Sequence, residues 1–238
     1  MGEESRGIEM DVGDVRIHPI ALGADCCYFI RGKSAIMIDG GAPKRARVFL
    51  KAIERLSMKP EDIRLMIITH GHWDHIGSAG DIKEITGAKI AMHHREKDWL
   101  EKCLKPIPPG VTGWGRILVA MMAMLTPLVR IPATSVDIVL PDEGFSLSGY
   151  GIPGEVIHTP GHSPGSVSVS LETGDVFVGD LAMNGFPLRR GPGLPIFAED
   201  LEEVKRSWKL LLDRGAKTVY PAHGKPFSVD NIRRTLSH

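Results

Sequence analysis

The chain has 238 residues, enough for one large domain with a buried core. Its 29 basic and 29 acidic residues cancel and 42% of its residues are hydrophobic, a globular composition rather than that of a basic nucleic-acid binder. Three cysteines, two of them adjacent, argue against a disulfide framework, whereas ten histidines are a conspicuous supply of metal-binding side chains.

The first half of the chain alternates short apolar runs with helical patterns. Two β-rich runs, residues 27–30 and 35–38, flank a turn-like Arg-Gly-Lys and predict a hairpin. Apolar residues at helical spacing predict a helix over residues 43–58, and the continuous apolar run 65–68 predicts a strand buried on both faces. The remaining predictions for this half are a helix, a strand and a helix over residues 74–86, 89–92 and 95–104.

Residues 105–132 interrupt this pattern with a segment rich in Pro, Gly, Met and Leu. We interpret the segment as an insertion into a single domain that spans residues 1–238. Its apolar residues recur at spacings of three and four, which predicts a helix with one apolar face. That face consists of Trp114, Ile117, Leu118, Met121, Met122, Leu125 and Leu128. It could serve as a lid over an active site, as added core, or as the contact of a homodimer.

The second half repeats the order of strands followed by a helix. Strands are predicted over residues 136–140, 155–158, 166–171, 176–178 and 218–221, and helices over residues 199–213 and from Asp230 onward. Two similar halves of this kind predict a mixed α/β (α+β) fold in which two sheets pack together with helices outside, a four-layer αββα sandwich.

A dense cluster of potential metal ligands follows the buried run 65–68. The sequence Thr-His-Gly-His-Trp-Asp-His occupies residues 69–75, so that His70, His72, Asp74 and His75 lie within six positions. At an abrupt turn from a strand to a helix, such side chains can converge, and Gly71 leaves the backbone room to do so. Neutral imidazole and carboxylate suit zinc, and also iron or manganese.

Three further candidates lie downstream, each where a predicted strand runs out into a loop. His162 lies in the turn-rich segment Thr-Pro-Gly-His-Ser-Pro-Gly-Ser, Asp180 follows Gly179, and His223 stands in Ala-His-Gly. Each is a weak signal alone, because a lone aspartate at a strand end usually caps a turn and a lone loop histidine is usually solvated. Together with the first cluster they form a pattern.

At these residues the chain resembles the metallo-β-lactamase-fold hydrolases, whose five ligand motifs it matches in order. The resemblance implies an αββα fold and a dinuclear centre of two divalent ions, zinc first, with iron or manganese as alternatives. The implied ligands are His70, His72 and His162 for one ion, Asp74, His75 and His223 for the other, and Asp180 as the bridge. The implied nucleophile is a metal-bridging hydroxide, which Asp74 would orient while it passes a proton to the leaving group.

Some other residues have two interpretations. Asp39 ends a strand where such folds place a carboxylate that holds a ligand imidazole, although it could equally cap the next helix. His158 lies near His162, but we assign it a structural role. Arg189, Arg190 and Lys225 could bind a carboxylate or a phosphate, or could be solvated charges.

Departures from better-known members narrow the expected activity. Asp180 stands where class B1 β-lactamases have a cysteine, so antibiotic hydrolysis is not expected. We also find no C-terminal helical domain of the glyoxalase II type, no RNA-binding arm and no flavodoxin-like domain. We therefore expect a cytoplasmic hydrolase of small-molecule esters, lactones or thioesters, with no nucleic-acid partner and no transmembrane segment. The alternatives are a phosphodiesterase, an iron-dependent redox enzyme acting on a sulfur substrate, and a metal-binding module without turnover.

Overall fold

The computed structural model describes residues 10–12 and 15–237 and contains two β-sheets. The first sheet has seven strands that follow one another in chain order. They are β1 (Met10–Val12), β2 (Val15–Ala21), β3 (Cys26–Arg31), β4 (Ala35–Ile38), β5 (Ile63–Ile67), β6 (Lys89–His93) and β7 (Ile138–Leu140). Strands β1 to β4 are antiparallel, and the pairs from β4 to β7 are parallel.

The second sheet has six strands in the order β13-β12-β11-β10-β9-β8. They are β8 (Phe145–Ser146), β9 (Gly154–His158), β10 (Val167–Leu171), β11 (Asp175–Gly179), β12 (Thr218–Pro221) and β13 (Phe227–Ser228). Among these described strands, β11 and β12 pair in parallel, and the other neighbours are antiparallel. The carboxyl ends of β11 and β12 therefore meet at one edge of this sheet.

Seven α-helices accompany the sheets in the described residues: α1 (Ala46–Arg55), α2 (Trp73–Ile76), α3 (Ala79–Thr86), α4 (Lys97–Glu101), α5 (Gly113–Leu125), α6 (Leu201–Asp213) and α7 (Asp230–Leu236). Single 3₁₀ turns occupy Pro60–Asp62, Thr126–Leu128 and Ser148–Tyr150. The apolar face of α6 buries Val204, Trp208 and Leu211, and Asp200 caps the helix by accepting the backbone N–H groups of Glu202 and Glu203. None of the helices in the described part of the chain is long and apolar enough to cross a bilayer.

Three apolar layers hold the elements together. One lies between the first sheet and the helices α1 to α4, with Phe29 of the sheet against Phe49 of α1. A second lies between the two sheets, where Tyr28 packs on Phe177 and Tyr220. The third lies between the second sheet and the helices α6 and α7. The predicted four-layer αββα sandwich is therefore confirmed.

The boundaries of several elements differ from the sequence prediction. The helix predicted over residues 74–86 is divided into α2 and α3 at Gly77 and Ser78. A Cβ atom at Gly77 would lie 2.4 Å from the Pro43 ring, and the Ser78 hydroxyl donates to the carbonyl oxygen of Ala42 while accepting the N–H of Arg45. Residues 42–45, which precede α1, therefore pack against Gly77 and Ser78 and separate α2 from α3. The helix predicted from residue 43 begins only at Ala46.

Candidate metal centre

Three imidazoles converge where the loop after β5 meets the loop after β9. His70, His72 and His162 are buried, and one ring nitrogen of each lies within 4.8 Å of the others. The His72 Nδ1 and His162 Nε2 atoms are 3.0 Å apart. The three rings stand nearly perpendicular to one another, at 84°, 85° and 89°. Because an imidazole lone pair lies in the ring plane, this arrangement directs three lone pairs into one space.

A second group of potential ligands adjoins the first. Asp74, His75 and His223 also bring one ligand atom each within 4.8 Å of one another. The His223 Nε2 atom lies 3.5 Å from Asp74 Oδ2. Asp74 is the most accessible of the three, with 19% of its side chain exposed.

Asp180 lies between the two groups, at the end of β11. Its Oδ1 atom is 3.5 Å from His75 Nε2 and 3.4 Å from His223 Nε2, whereas its Oδ2 atom is 3.8 Å from His162 Nε2. One carboxylate oxygen thus faces each group. The structure brings all seven residues predicted as metal ligands together, although their roles as ligands stay a prediction.

The second nitrogen of most of these imidazoles is held by a neighbouring group. His162 Nδ1 lies 2.9 Å from the carbonyl oxygen of Phe197, and His223 Nδ1 lies 3.3 Å from that of Ala24. His72 instead stacks on the indole ring of Trp99. Hydrogen bonds from the outer nitrogen set the tautomer and ring orientation that a metal ligand needs.

Asp39 holds two of the histidines. Its Oδ2 atom lies 2.9 Å from His75 Nδ1, and its carboxylate accepts both the N–H and the hydroxyl of Thr69. The Thr69 oxygen in turn lies 3.1 Å from His70 Nδ1. Asp39 adopts a positive φ of 63°, which is strained for a residue with a Cβ atom, and it does not cap α1, whose N-cap is Arg45. Of the two interpretations of Asp39, the geometry matches the carboxylate that holds ligand imidazoles.

The electrostatics differ between the two groups. Burial, and then the neighbouring imidazoles, hold the pKa of His70 well below its usual value and lower the pKa of His72 to about 3. Burial lowers the pKa of His75 and His223 too, but neighbouring carboxylates, Asp180 among them, raise both pKa values well above the usual range. The first group therefore offers neutral lone pairs, and the second has negative charge that a cation would neutralise.

Asp74 and Asp180 are ionised in this surrounding. Although burial raises the pKa of Asp74, the nearby His75 and His223 bring it down to about 2. Burial also raises the pKa of Asp180, but the same two imidazoles hold it well below its usual value. Both carboxylates therefore carry negative charge at neutral pH, the form in which they bind metal ions.

Glu96 is a positioning residue that the sequence did not single out. Its side chain is fully buried, its Oε2 atom accepts the N–H of Gly71 at 2.6 Å, and its Oε1 atom accepts the N–H of Gly165 at 2.6 Å. Gly71 separates His70 from His72, and Gly165 lies in the loop of His162, so this carboxylate ties both ligand loops of the first group together. Burial raises the pKa of Glu96, against the donors from Ser163, Gly165 and Gly71.

Two further features of the centre depend on contacts with residues distant in the sequence. Asp25 is buried beside the second group, and burial, with an added contribution from Asp74, raises its pKa to about 6. Gly71 is needed for space rather than for an unusual φ, because a Cβ atom there would lie 2.6 Å from the Trp99 ring. Neither contact has a signal in the local sequence.

None of the other residues considered in the sequence analysis belongs to the two ligand groups. The His158 Nε2–H group donates to the carbonyl oxygen of Pro164, and His158 belongs to a separate cluster with His93 and Asp142. Arg189 donates to the carbonyl oxygen of Leu194 within its own loop. Arg190 and Lys225 are exposed.

Comparison with known proteins gives a family match over most of the chain. The family model described as the metallo-beta-lactamase superfamily matches residues 25–223, a span that contains every residue of the candidate metal centre. The solved structure described as TTHA1623 in a di-iron-bound form aligns with a TM-score of 0.65 over 91% of this chain and 97% of that chain, at 24% identity. At this identity the likeness shows the fold.

Curated relatives are named as hydrolases. The probable metallo-hydrolase YflN of Bacillus subtilis is 26% identical, over 93% of this chain and 88% of its own length. The hydroxyacylglutathione hydrolase GloC of Haemophilus influenzae is 26% identical, over 72% of this chain and 73% of its own length. The expectation of a metal-dependent hydrolase agrees with both.

Proposed function

Because the chain belongs to the metallo-beta-lactamase superfamily, we propose that it is a dinuclear metal-dependent hydrolase of small-molecule esters, lactones or thioesters. The observation that carries the proposal is the convergence of seven imidazole and carboxylate side chains at one edge of the sandwich, with one oxygen of Asp180 facing each group.

The donor set fits two metal ions. Within the described residues, the buried atoms His70 Nε2, His75 Nε2 and Asp180 Oδ1 have no hydrogen-bond partner, and all three point into the centre. Leaving a buried polar atom unpaired costs roughly 1–3 kcal/mol, so three together indicate a missing partner. Imidazole and carboxylate donors without a thiolate suit zinc, and equally iron or manganese.

The chemistry combines the ions with the surrounding protein. Two divalent ions held here would lower the pKa of a shared water and polarise the carbonyl oxygen of the substrate. We assign to Asp74, which is ionised and the most accessible of these side chains, the role of orienting the attacking water, taking up its proton and returning it to the leaving group. Asp39, Thr69 and Glu96 hold the imidazoles and their loops in place before substrate arrives.

The relatives bear on the substrate class. GloC is named a hydroxyacylglutathione hydrolase and aligns with this chain over 73% of its own length, which supports a thioester as one candidate substrate. A phosphodiesterase would be favoured if Arg189, Arg190 or Lys225 faced the centre, but the Arg189 guanidinium donates to Leu194 within its own loop. These observations favour a carboxylic ester or thioester over a phosphodiester.

Metal analysis of the purified protein, followed by assays with lactones, thioesters and phosphodiesters, tests the proposal. We expect about two equivalents of metal per chain and turnover of a carboxylic ester or thioester that a chelator abolishes and added metal restores. Metal binding without turnover of any of these substrates would contradict a hydrolytic function. Iron together with oxygen consumption on a sulfur substrate would replace the hydrolytic function with redox chemistry.

A further inference from the structure

An apolar stripe runs along the exposed side of α5 and the 3₁₀ turn that follows it. Its members recur at spacings of three and four, so they share one face of the helix. The exposed fraction of these side chains ranges from 45% to 78%: Trp114, Ile117, Met121, Met124, Leu125 and Leu128. Contiguous exposed apolar surface of this kind marks an interaction site in a folded protein.

The other side of α5 anchors the helix. Leu118, Val119 and Met122 pack against a small apolar cluster formed by Met183, Ile196 and Phe197. The carbonyl oxygen of Phe197 faces His162, so the anchored helix borders the candidate metal centre. The sequence predicted a single apolar face for this segment, whereas the structure divides its apolar residues between a packed side and the exposed apolar stripe.

The loop after Asp180 extends the apolar stripe. The Trp114 indole N–H donates to the carbonyl oxygen of Pro187 at 2.9 Å, which holds the loop beside the start of α5. The neighbouring Phe186 side chain is 79% exposed, as much as Met124 within the stripe. An aromatic side chain held outward in this way adds to the surface rather than to the core.

The two chain segments that carry the apolar stripe and its extension contain charges of one sign. Residues 102–136 and 181–198 contain six lysines and arginines and no acidic residue, in a chain whose total charge is zero. Three of the six, Arg116, Arg130 and Arg190, are exposed and form no ion pair among the residues that the structure describes. The stripe is therefore bordered by free positive charge.

We propose that the apolar stripe and these arginines dock the protein on the surface of a bilayer that contains anionic lipids. A helix that is apolar on its outward face and bordered by arginines is suited to lie in the plane of the lipid interface, where its apolar face enters the acyl region and its cations meet the headgroups. A second copy of the chain is a poorer occupant, because a two-fold interface through the stripe would bring two wholly basic borders together.

Vesicle flotation with the metal-loaded protein tests this proposal without relying on activity. We expect the protein to float with vesicles of phosphatidylcholine mixed with phosphatidylglycerol, and to bind less to phosphatidylcholine alone or at high salt. The double variant Met124→Ser/Leu128→Ser should bind at least about tenfold more weakly, since each side chain loses apolar area that the bilayer would bury. The double variant Arg116→Gln/Arg130→Gln should lose about fivefold per arginine.

A control lies on β7, where Val139 is 49% exposed and lies between the acidic residues Asp137 and Asp142 in the sequence rather than within a basic border. The variant Val139→Ser should bind vesicles as the unmodified protein does. No binding to either vesicle, or equal binding by all variants, would overturn the proposal. A concentration-dependent dimer in sedimentation that is lost in Met124→Ser/Leu128→Ser would overturn it as well, because a second copy would then cover the stripe.

Discussion

Two clusters of histidine and aspartate lie close together in this chain, and only three residues separate His158 in one from His162 in the other. The candidate metal centre holds five imidazoles and two carboxylates, with the rings of His70, His72 and His162 nearly at right angles. The second cluster joins His93, His94 and His158 to Asp142. There the rings of His93 and His158 are stacked, 4.1 Å apart and inclined by only 12°.

The difference shows that the kind and proximity of side chains do not by themselves make a metal site. An ion bound by an imidazole lies in the plane of its ring, so one ion cannot lie in the planes of two stacked, parallel rings. In the second cluster Asp142 also accepts from Arg95 and approaches three imidazoles, so its charge is already compensated. Burial and the neighbouring His158 and His94 lower the pKa of His93 to about 4, which keeps this ring neutral within the stack.

The largest difference is expected between two single variants, each of which lacks the aspartate of one of the two clusters. Asp180→Ala should lose at least one metal equivalent and lower kcat/KM by more than about 100-fold, because removal of a ligand exceeds the 10- to 100-fold effect of an outer partner. Asp142→Ala should retain both equivalents and nearly full activity. Metal analysis and steady-state kinetics on the two proteins check this, and equal losses would place a functional metal in the second cluster.

The two neighbouring histidines offer the next comparison. His162→Ala should lower the metal content by about one equivalent per chain, because the first group then keeps only His70 and His72. His158→Ala should leave the metal content unchanged and cost about 1 kcal/mol of unfolding free energy, the value of its hydrogen bond with Pro164. If His158→Ala lost metal and His162→Ala kept it, His158 would be the ligand.

Substitution of Glu96 should lower the metal affinity of the candidate metal centre and leave the second cluster unchanged. Glu96→Gln places an amide NH₂ against one of the two backbone N–H groups that the carboxylate accepts, so we expect metal affinity to fall about 10- to 100-fold. Glu101→Gln is the matched control, because Glu101 also accepts a backbone N–H, from Val136, but contacts neither ligand loop. Competition with a chromogenic chelator measures the affinity. If both variants lose thermal stability but keep the same metal affinity, Glu96 has only a structural role.

The smallest effect is expected when the Thr69 hydroxyl, which lies between Asp39 and His70, is removed. Thr69→Val keeps the shape of the side chain but removes this link, and metal affinity should fall about fivefold, equivalent to one hydrogen bond of about 1 kcal/mol. Thr173→Val removes a hydroxyl that donates to Asp175, remote from the ligand loops, and should leave the affinity unchanged. Indistinguishable affinities for the two variants would mean that Asp39 does not act on His70 through Thr69.

Several features were predictable because their signals are local. The run 65–68 followed by His-x-His-x-Asp-His indicated a buried strand that ends in a ligand cluster, and β5 ends at Ile67 just before it. His162, Asp180 and His223 were found because each follows a strand, and strand ends collect at one edge of the sandwich. The order of strands and helices in two similar halves followed from hydrophobic periodicity.

Other features depend on contacts between distant parts of the chain. Glu96 reads in sequence as a solvated charge at the start of a helix, yet it is buried because the loops of Gly71 and Gly165 close over it. The apolar residues of α5 give no sequence signal of which side packs, since nearly every position is apolar; the position of Met183, Ile196 and Phe197 decides that.

Short segments of the chain were enough to establish the order of strands and helices and the set of potential metal ligands, because hydrophobic periodicity and strand-end motifs are local properties. Tertiary packing set which imidazoles converge and which only stack, which carboxylates hold them, and which apolar face of α5 stays exposed. Those outcomes depend on the orientation of side chains from segments far apart in the chain, and that orientation is established when the two sheets pack together.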